Sequence, residues 1–165
     1  MNPRPQVILV QPRIPQNVGA IGRLCAANRA GLHVVRPIPF DLSDRSLRRA
    51  GMDYLELLDL HVHLDWQAAT EAVAGRRLWF LTSAGGTGLY DVQFQPSDVL
   101  VFGSEVEGLP DSIRSDYRGR DLRIPMAEPR ARCLNLATSV GIALYEVLRQ
   151  TNGFTSHGES SPQSL

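Results

Sequence analysis

Gln6, Val7, Ile8, Leu9 and Val10 form an early apolar run that does not alternate with polar residues and is closed by Pro12 and Pro15. A half-exposed strand alternates, so a short unbroken run is expected to be a strand covered on both faces, as in a parallel sheet. Asn17 is expected to cap a helix reaching Ala30, with Ile21, Leu24 and Ala27 or Asn28 at helical spacing and Gly31 just past its last turn. Leu32 to Val35 is the next predicted strand. A short helix over Ser43 to Ala50, a strand over Leu60 to Leu64 and an Asp65-capped helix to Ala74 follow. Strands are predicted at Arg77 to Thr82, Asp98 to Phe102 and Asp121 to Ile124, with a helix-prone stretch from Pro110 to Arg114. This alternation predicts an α/β fold, a mainly parallel sheet flanked by helices. From Asn135 onward Leu136, Val140, Ala143, Leu144, Val147 and Leu148 make one apolar helical face, expected to close the core or an interface. Beyond Gly153 the chain is rich in Ser, Gly and Pro, so a single domain over 1–153 and a disordered tail over 154–165 are expected.

The 165 residues suit one core. No apolar run nears the roughly 18 residues of a bilayer span, and nothing at the N-terminus reads as a secretion signal, so a cytoplasmic protein is expected. Cys25 and Cys133 lie far apart and outside any Cys-x-x-Cys pair, which argues against a disulfide framework or zinc ribbon. Formal net charge is zero, but the charge is segregated. Arg23 to Arg49 holds six arginines against Asp41 and Asp44, and Arg114 to Arg132 holds six against three acids, while Asp98 to Ile113 has four acids and no base. Every one of the 17 basic residues is arginine, the side chain best shaped for bidentate phosphate contacts.

Several familiar motifs are excluded. The glycines of Ala84 to Gly88 do not fit G-x-G-x-x-G, no Gly-Lys-Ser/Thr ends a phosphate loop, and Gly103-Ser104-Glu105 is not a hydrolase elbow. His61 and His63 share one side of a strand, but with no third ligand at a telling spacing no metal site is expected. Three segments place glycines and polar residues just past apolar strands, where open α/β sheets bind ligands: Asn17 to Cys25, Phe102 to Pro110 and Ile124 to Asn135. In the first, Gly19 and Arg23 lie one helical turn apart.

Asn17-x-Gly-x-Ile-x-Arg23-x-Cys25, Phe102-Gly-x-Glu-x-x-Gly-Leu-Pro110 and Ile124-Pro-Met with Arg132-Cys-Leu-Asn135-Leu resemble, in order and spacing, the three motifs of SPOUT ribose methyltransferases. The likeness runs from Gln6 to Gln150. With Leu47-Arg-Arg-Ala-Gly-Met-Asp-Tyr54 after the first motif, the chain looks most like the small subgroup that methylates the tRNA wobble ribose, cytidine or a modified uridine. Ribosomal RNA or another tRNA position, and an RNA-binding domain of the same fold without catalysis, are the alternatives.

The resemblance implies a C-terminal trefoil knot, an exception to the rule that connections do not thread loops. It implies S-adenosylmethionine as methyl donor, S-adenosylhomocysteine as product, and a homodimer joined through the knot and the C-terminal helix. Leu81, Gly103, Glu105, Gly108, Ile124, Met126, Cys133 and Leu134 are expected around the donor. RNA contacts are expected from Asn17, Arg23, Arg48 and Arg132. Transfer of methyl from a sulfonium to a 2′-hydroxyl needs alignment and no metal. Arg23 carries the proton-handling role by resemblance, yet a guanidinium with a pKa above about 12 is a poor base. Polarising the ribose oxygen or holding a phosphate are its other roles, and Glu105 is the alternative proton acceptor. Asn135 is expected to cap the last helix and orient substrate or donor. Relatives commonly have Ser where this chain has Cys133, and Arg23 is expected to work beside the partner's donor.

Overall fold

The computed structural model describes residues 3–49, 55–83, 86–117, 119–128 and 130–154. Residues 50–54 of the Leu47 to Tyr54 string and the expected tail from Thr155 onward lie outside this set. Seven strands, β1 (Gln6–Val10), β2 (Gly31–Val35), β3 (Asp59–His63), β4 (Leu78–Leu81), β5 (Thr87–Gly88), β6 (Val99–Phe102) and β7 (Asp121–Arg123), form one sheet. Their order is β3-β2-β1-β6-β4-β7-β5, and every pairing is parallel. The helices are α1 (Pro15–Ala27), α2 (Asp44–Arg49), α3 (Trp66–Ala72), α4 (Asp111–Arg114) and α5 (Leu136–Gln150).

The non-alternating runs divide by parity between two cores, as a strand covered on both faces must. Val7 and Leu9 of β1 with Leu100 and Phe102 of β6 face one cluster, together with Val18, Ile21 and Cys25 of α1 and Val140, Ala143, Leu144 and Val147 of α5. Ile8 and Val10 with Val99 and Val101 face the other, with Ala69 of α3 and Ile113 of α4. Burying each such aliphatic contributes about 1.5–3 kcal/mol, so the sheet is fixed from both sides. The α5 face read from the sequence is therefore core, and Cys25, whose thiol burial pushes up to about 12, is a packing residue.

Two local expectations change. Helix α1 begins before Asn17, with Ile14 at the cap position, so Asn17 is a buried residue of its first turn and does not cap it. The left-handed residue after the helix is Arg29 (φ 52°), not Gly31, which already belongs to β2. Asp65 does cap α3, its carboxylate accepting from Ala68 N at 2.9 Å.

At the β2–β3 edge the parallel register sets His33 beside His61, and His63 stacks on His33 with ring centroids 5.1 Å apart. Gln6 Oε1 lies 2.9 Å from His33 Nε2, so Nε2 carries the proton and Nδ1 accepts from His63 Nε2 at 2.8 Å. Burial first, then the charges of His61, His63 and Arg76 against the opposing Asp59, hold His33 down to about 4. An unfolded imidazole titrates near 6.5, so the unfolded chain holds more protons between these values and unfolding free energy rises with pH through this window. His33 contributes about 3 kcal/mol that is present above pH 6.5 and lost toward pH 4. Urea melts across that range should show a flatter dependence for His33→Gln; an equal slope in both proteins would contradict the assignment.

Candidate functional site

The strand order reverses direction between β1 and β6. The connection from β1 leaves as α1 over one face and that from β6 leads to α4 on the other, so a crevice opens beyond the carboxyl ends of the strands. A cleft of about 550 Å³ occupies that crevice. Leu81, Gly103, Glu105, Gly108, Ile124, Met126, Cys133 and Leu134 all line it, with Asn17 and Asn135. Four of these are aliphatic or thioether side chains, and the remainder bring backbone, carboxylate and amide groups, the mixture of a small-molecule site.

The loop after β6 closes on itself through an antiparallel bridge, Gly108 N donating to Ser104 O at 3.0 Å and Ser104 N to Gly108 O at 3.2 Å. Ser104 Oγ accepts from Glu107 N at 3.0 Å. Gly108 is left-handed (φ 69°) with open space around its Cα, whereas a Cβ on Gly103 would overlap the Gly108 carbonyl and Leu109 N. The two glycines thus serve different ends, a backbone conformation at 108 and a close backbone approach at 103.

Glu105 joins this loop to the start of α1. Its Oε2 accepts from Arg13 N at 2.7 Å, and its Oε1 from Ile14 N at 3.2 Å and Asn17 Nδ2 at 3.0 Å. A helix whose Ile14 offers no capping side chain is capped by a carboxylate more than 90 residues away, favourably placed at the positive end of the helix. Asn17 Oδ1 accepts from Asn135 Nδ2 at 3.0 Å, and Asn135 Oδ1 caps α5 by accepting from Thr138 N at 3.2 Å. One chain of hydrogen bonds therefore runs through all three motifs, from Glu105 to Asn17 to Asn135. Glu107 has Arg13 Nη2 at 3.4 Å, which offsets its charge at an exposed position.

The remaining expected residues lie elsewhere. Arg23 is exposed on α1 and does not line the cleft; Arg48 is exposed on α2 and Arg132 before α5. Thr82, Ser83, Arg114 and Arg123 line the cleft without having been singled out. Thr82 and Ser83 follow β4, so the same rule that marked the ends of the other strands would have found them. Arg114 is held by Asp121 at 3.4 Å and Asp111 at 3.5 Å. Among the described residues no set of three His, Cys, Asp or Glu side chains is arranged to hold a metal ion, and no helix is long and apolar enough to cross a membrane.

The profile of the SpoU rRNA Methylase family matches residues 4–145. A tRNA (cytidine(34)-2'-O)-methyltransferase of Methylovorus glucosotrophus (strain SIP3-4) is 45% identical over 145 residues, 87% of this chain and 94% of that protein. A solved structure described as giving insight into the 2-OH methylation of C/U34 on tRNA superposes with a TM-score of 0.84 at 42% identity, over 91% of this chain and 97% of the other. The SpoU methyltransferase AviRb from Streptomyces viridochromogenes, solved with the cofactor AdoMet, gives a TM-score of 0.78 at 27% identity, over 88% of this chain and 57% of that one.

Proposed function

The chain belongs to the SpoU rRNA methylase family, and from that membership we propose that it transfers a methyl group from S-adenosylmethionine to the ribose 2′-hydroxyl of the wobble nucleotide, position 34, of tRNA. The observation that carries this reading is that the eight residues expected around the donor converge on one cleft. Its relatives act, by their names, on cytidine 34. Bound in the cleft, the donor supplies an electrophilic sulfonium methyl that a ribose oxygen takes in line.

The protein's own residues supply position and polarity. Leu81, Ile124, Met126 and Leu134 provide an apolar slot for the adenine, and among the described residues the backbone groups of Cys133 and Leu134 make no hydrogen bond within the fold, leaving them to the base edge. A donor contact through this backbone would be indifferent to Cys133 replacing Ser. Glu105, with three donors already on its carboxylate, is a positioning residue that ties the donor loop to α1, and Asn135 holds the start of α5 against Asn17. Arg23, on the far side of α1's first turns from the cleft, completes the partner's site in a homodimer, where its guanidinium polarises the ribose oxygen and offsets the charge left as the proton departs. The exposed Tyr145, tilted against Phe154 with ring centroids 5.5 Å apart, gives α5 an aromatic patch for that interface. The trefoil knot and a cytoplasmic location belong to the same proposal. β7's insertion between β4 and β5 brings the C-terminal chain back across the sheet, as such a threading requires.

Gly103→Ala is expected to weaken S-adenosylhomocysteine binding by roughly 10- to 100-fold, because forcing a methyl against the Gly108 carbonyl displaces the loop at a cost of about 1–3 kcal/mol. Gly108→Ala meets no atom and carries only left-handed strain, about 1–2 kcal/mol. Calorimetric titration of both variants checks the ranking; equal losses would contradict it. The function itself is tested by incubating the protein with labelled donor and bulk tRNA and digesting to nucleosides. A 2′-O-methylated pyrimidine is expected, and donor binding with no transfer to any RNA would overturn the reading.

A further inference from the structure

A second, smaller cavity of about 200 Å³ lies between the first turn of α1 and the segment leading through α2, lined by Pro15, Gln16, Phe40, Asp41, Ser46 and Arg49. We propose that it is a subsite for the base of an RNA nucleotide flanking the one that is methylated; the proposal rests on the RNA reading above. The cavity is below the roughly 300 Å³ at which sites for whole small ligands begin, so it admits one ring system and not a second donor molecule. Its composition is that of a base site. Phe40, half-buried against the core beside α1, offers an aromatic surface for stacking. Gln16 and Arg49 bring donors and Asp41 an acceptor, so both polarities needed to read a base edge are present, whereas a bare anion would be repelled by Asp41. Asp41 is held in place, accepting from Ser43 N at 3.0 Å, from Ser43 Oγ and from Ser46 Oγ at 3.4 Å, and these hydrogen bonds hold its carboxyl below the usual range.

Two further observations place RNA here. Ile14 and Asn17 line the donor cleft while the intervening Pro15 and Gln16 line this cavity, so the two sites flank the same helical turn. Gln16 also lies seven residues before Arg23 on the exposed stripe of α1, roughly 10 Å along the axis, so a strand lying on that stripe spans both. Arg45, Arg48 and Arg49 are exposed on the short helix at the rim, where the phosphates either side of an inserted base would pass.

The test uses stem-loop RNAs carrying a single abasic nucleotide at each position around the target, titrated against the full chain saturated with S-adenosylhomocysteine. In the wild type one abasic position is expected to weaken binding about tenfold, the share of one stacked base. In a Gln16→Ala, Phe40→Leu double variant the intact RNA should bind about tenfold more weakly, and that abasic position should have no further effect. Arg49→Gln, which leaves the Phe40 packing alone, should reduce the same position's effect, and S-adenosylhomocysteine affinity should be unchanged in all variants. Losses that multiply at every position, or variants that bind every RNA as the wild type does, would overturn the subsite while leaving the RNA reading intact. A wild type that binds no RNA would overturn the RNA reading itself, and the subsite with it.

Discussion

Arg23→Ala should lower methyl transfer by about 10²- to 10⁴-fold with donor affinity changed by less than about twofold, the range by which a positioned proton-handling or polarising group accelerates such steps. Donor affinity should be spared because Arg23 is absent from the cleft lining. Arg23→Lys should restore only part of the rate, since an ammonium keeps the charge but loses the planar fork that can hold a ribose oxygen and a phosphate together. The same placement makes a sharper expectation. When Arg23→Ala and Gly103→Ala chains are mixed, each mixed dimer of the proposed arrangement carries one site with the intact arginine of one subunit and the intact cleft of the other. Random mixing then restores about a quarter of wild-type activity, half the dimers each with one good site of two. Activity that stays at the level of the two parents would show that arginine and cleft act within one subunit.

Asp98→Ala should lower unfolding free energy by about 3 kcal/mol, the low end of the range for breaking a buried ion pair, because Arg77 keeps a third of its side chain in solvent and partly rehydrates. The carboxylate itself is fully buried and accepts four hydrogen bonds: from Arg77 Nε at 2.8 Å and Nη2 at 2.7 Å, Trp79 Nε1 at 2.9 Å and Gln95 N at 2.9 Å. It ties the approach to β6 to the neighbouring β4 at the end of the sheet away from the cleft. The midpoint should fall by roughly 6–12 °C for a chain of this size, while donor affinity measured well below the midpoint stays unchanged. Asp98→Asn retains an oxygen for Trp79 and Gln95 and should lose less, about 1–2 kcal/mol. A donor-binding defect in Asp98→Ala at low temperature would mean that this network reaches the site.

What was legible in the sequence was whatever acts locally. The unbroken aliphatics of β1 and β6 announced strands buried on both faces, and the 3.6-residue spacing of Val140, Ala143, Leu144 and Val147 announced the buried face of α5 with Asn135 as its cap. Asn17 looked like a cap for the same local reason, and there tertiary structure prevailed: Glu105, arriving from another strand, takes the cap's role and leaves Asn17 free to bridge to Asn135. No helical or strand period connects residues 13, 105 and 135. The partnership of His33 with His61 and His63 was hidden because it depends on which strand lies beside β2, and the two-residue β5 is too short for any periodicity. The residues expected around the donor rest on resemblance to motifs, and the cleft they share emerges only once β4, β6 and β7 lie side by side.

Transfer to one ribose hydroxyl at position 34 is tested with tRNAs that carry a single 2′-deoxynucleotide. Label from S-adenosylmethionine should be incorporated when the missing hydroxyl is at position 33 or 35, and incorporation should vanish when it is at 34. Undiminished incorporation into the 34-deoxy tRNA would show that the methyl group goes to another position.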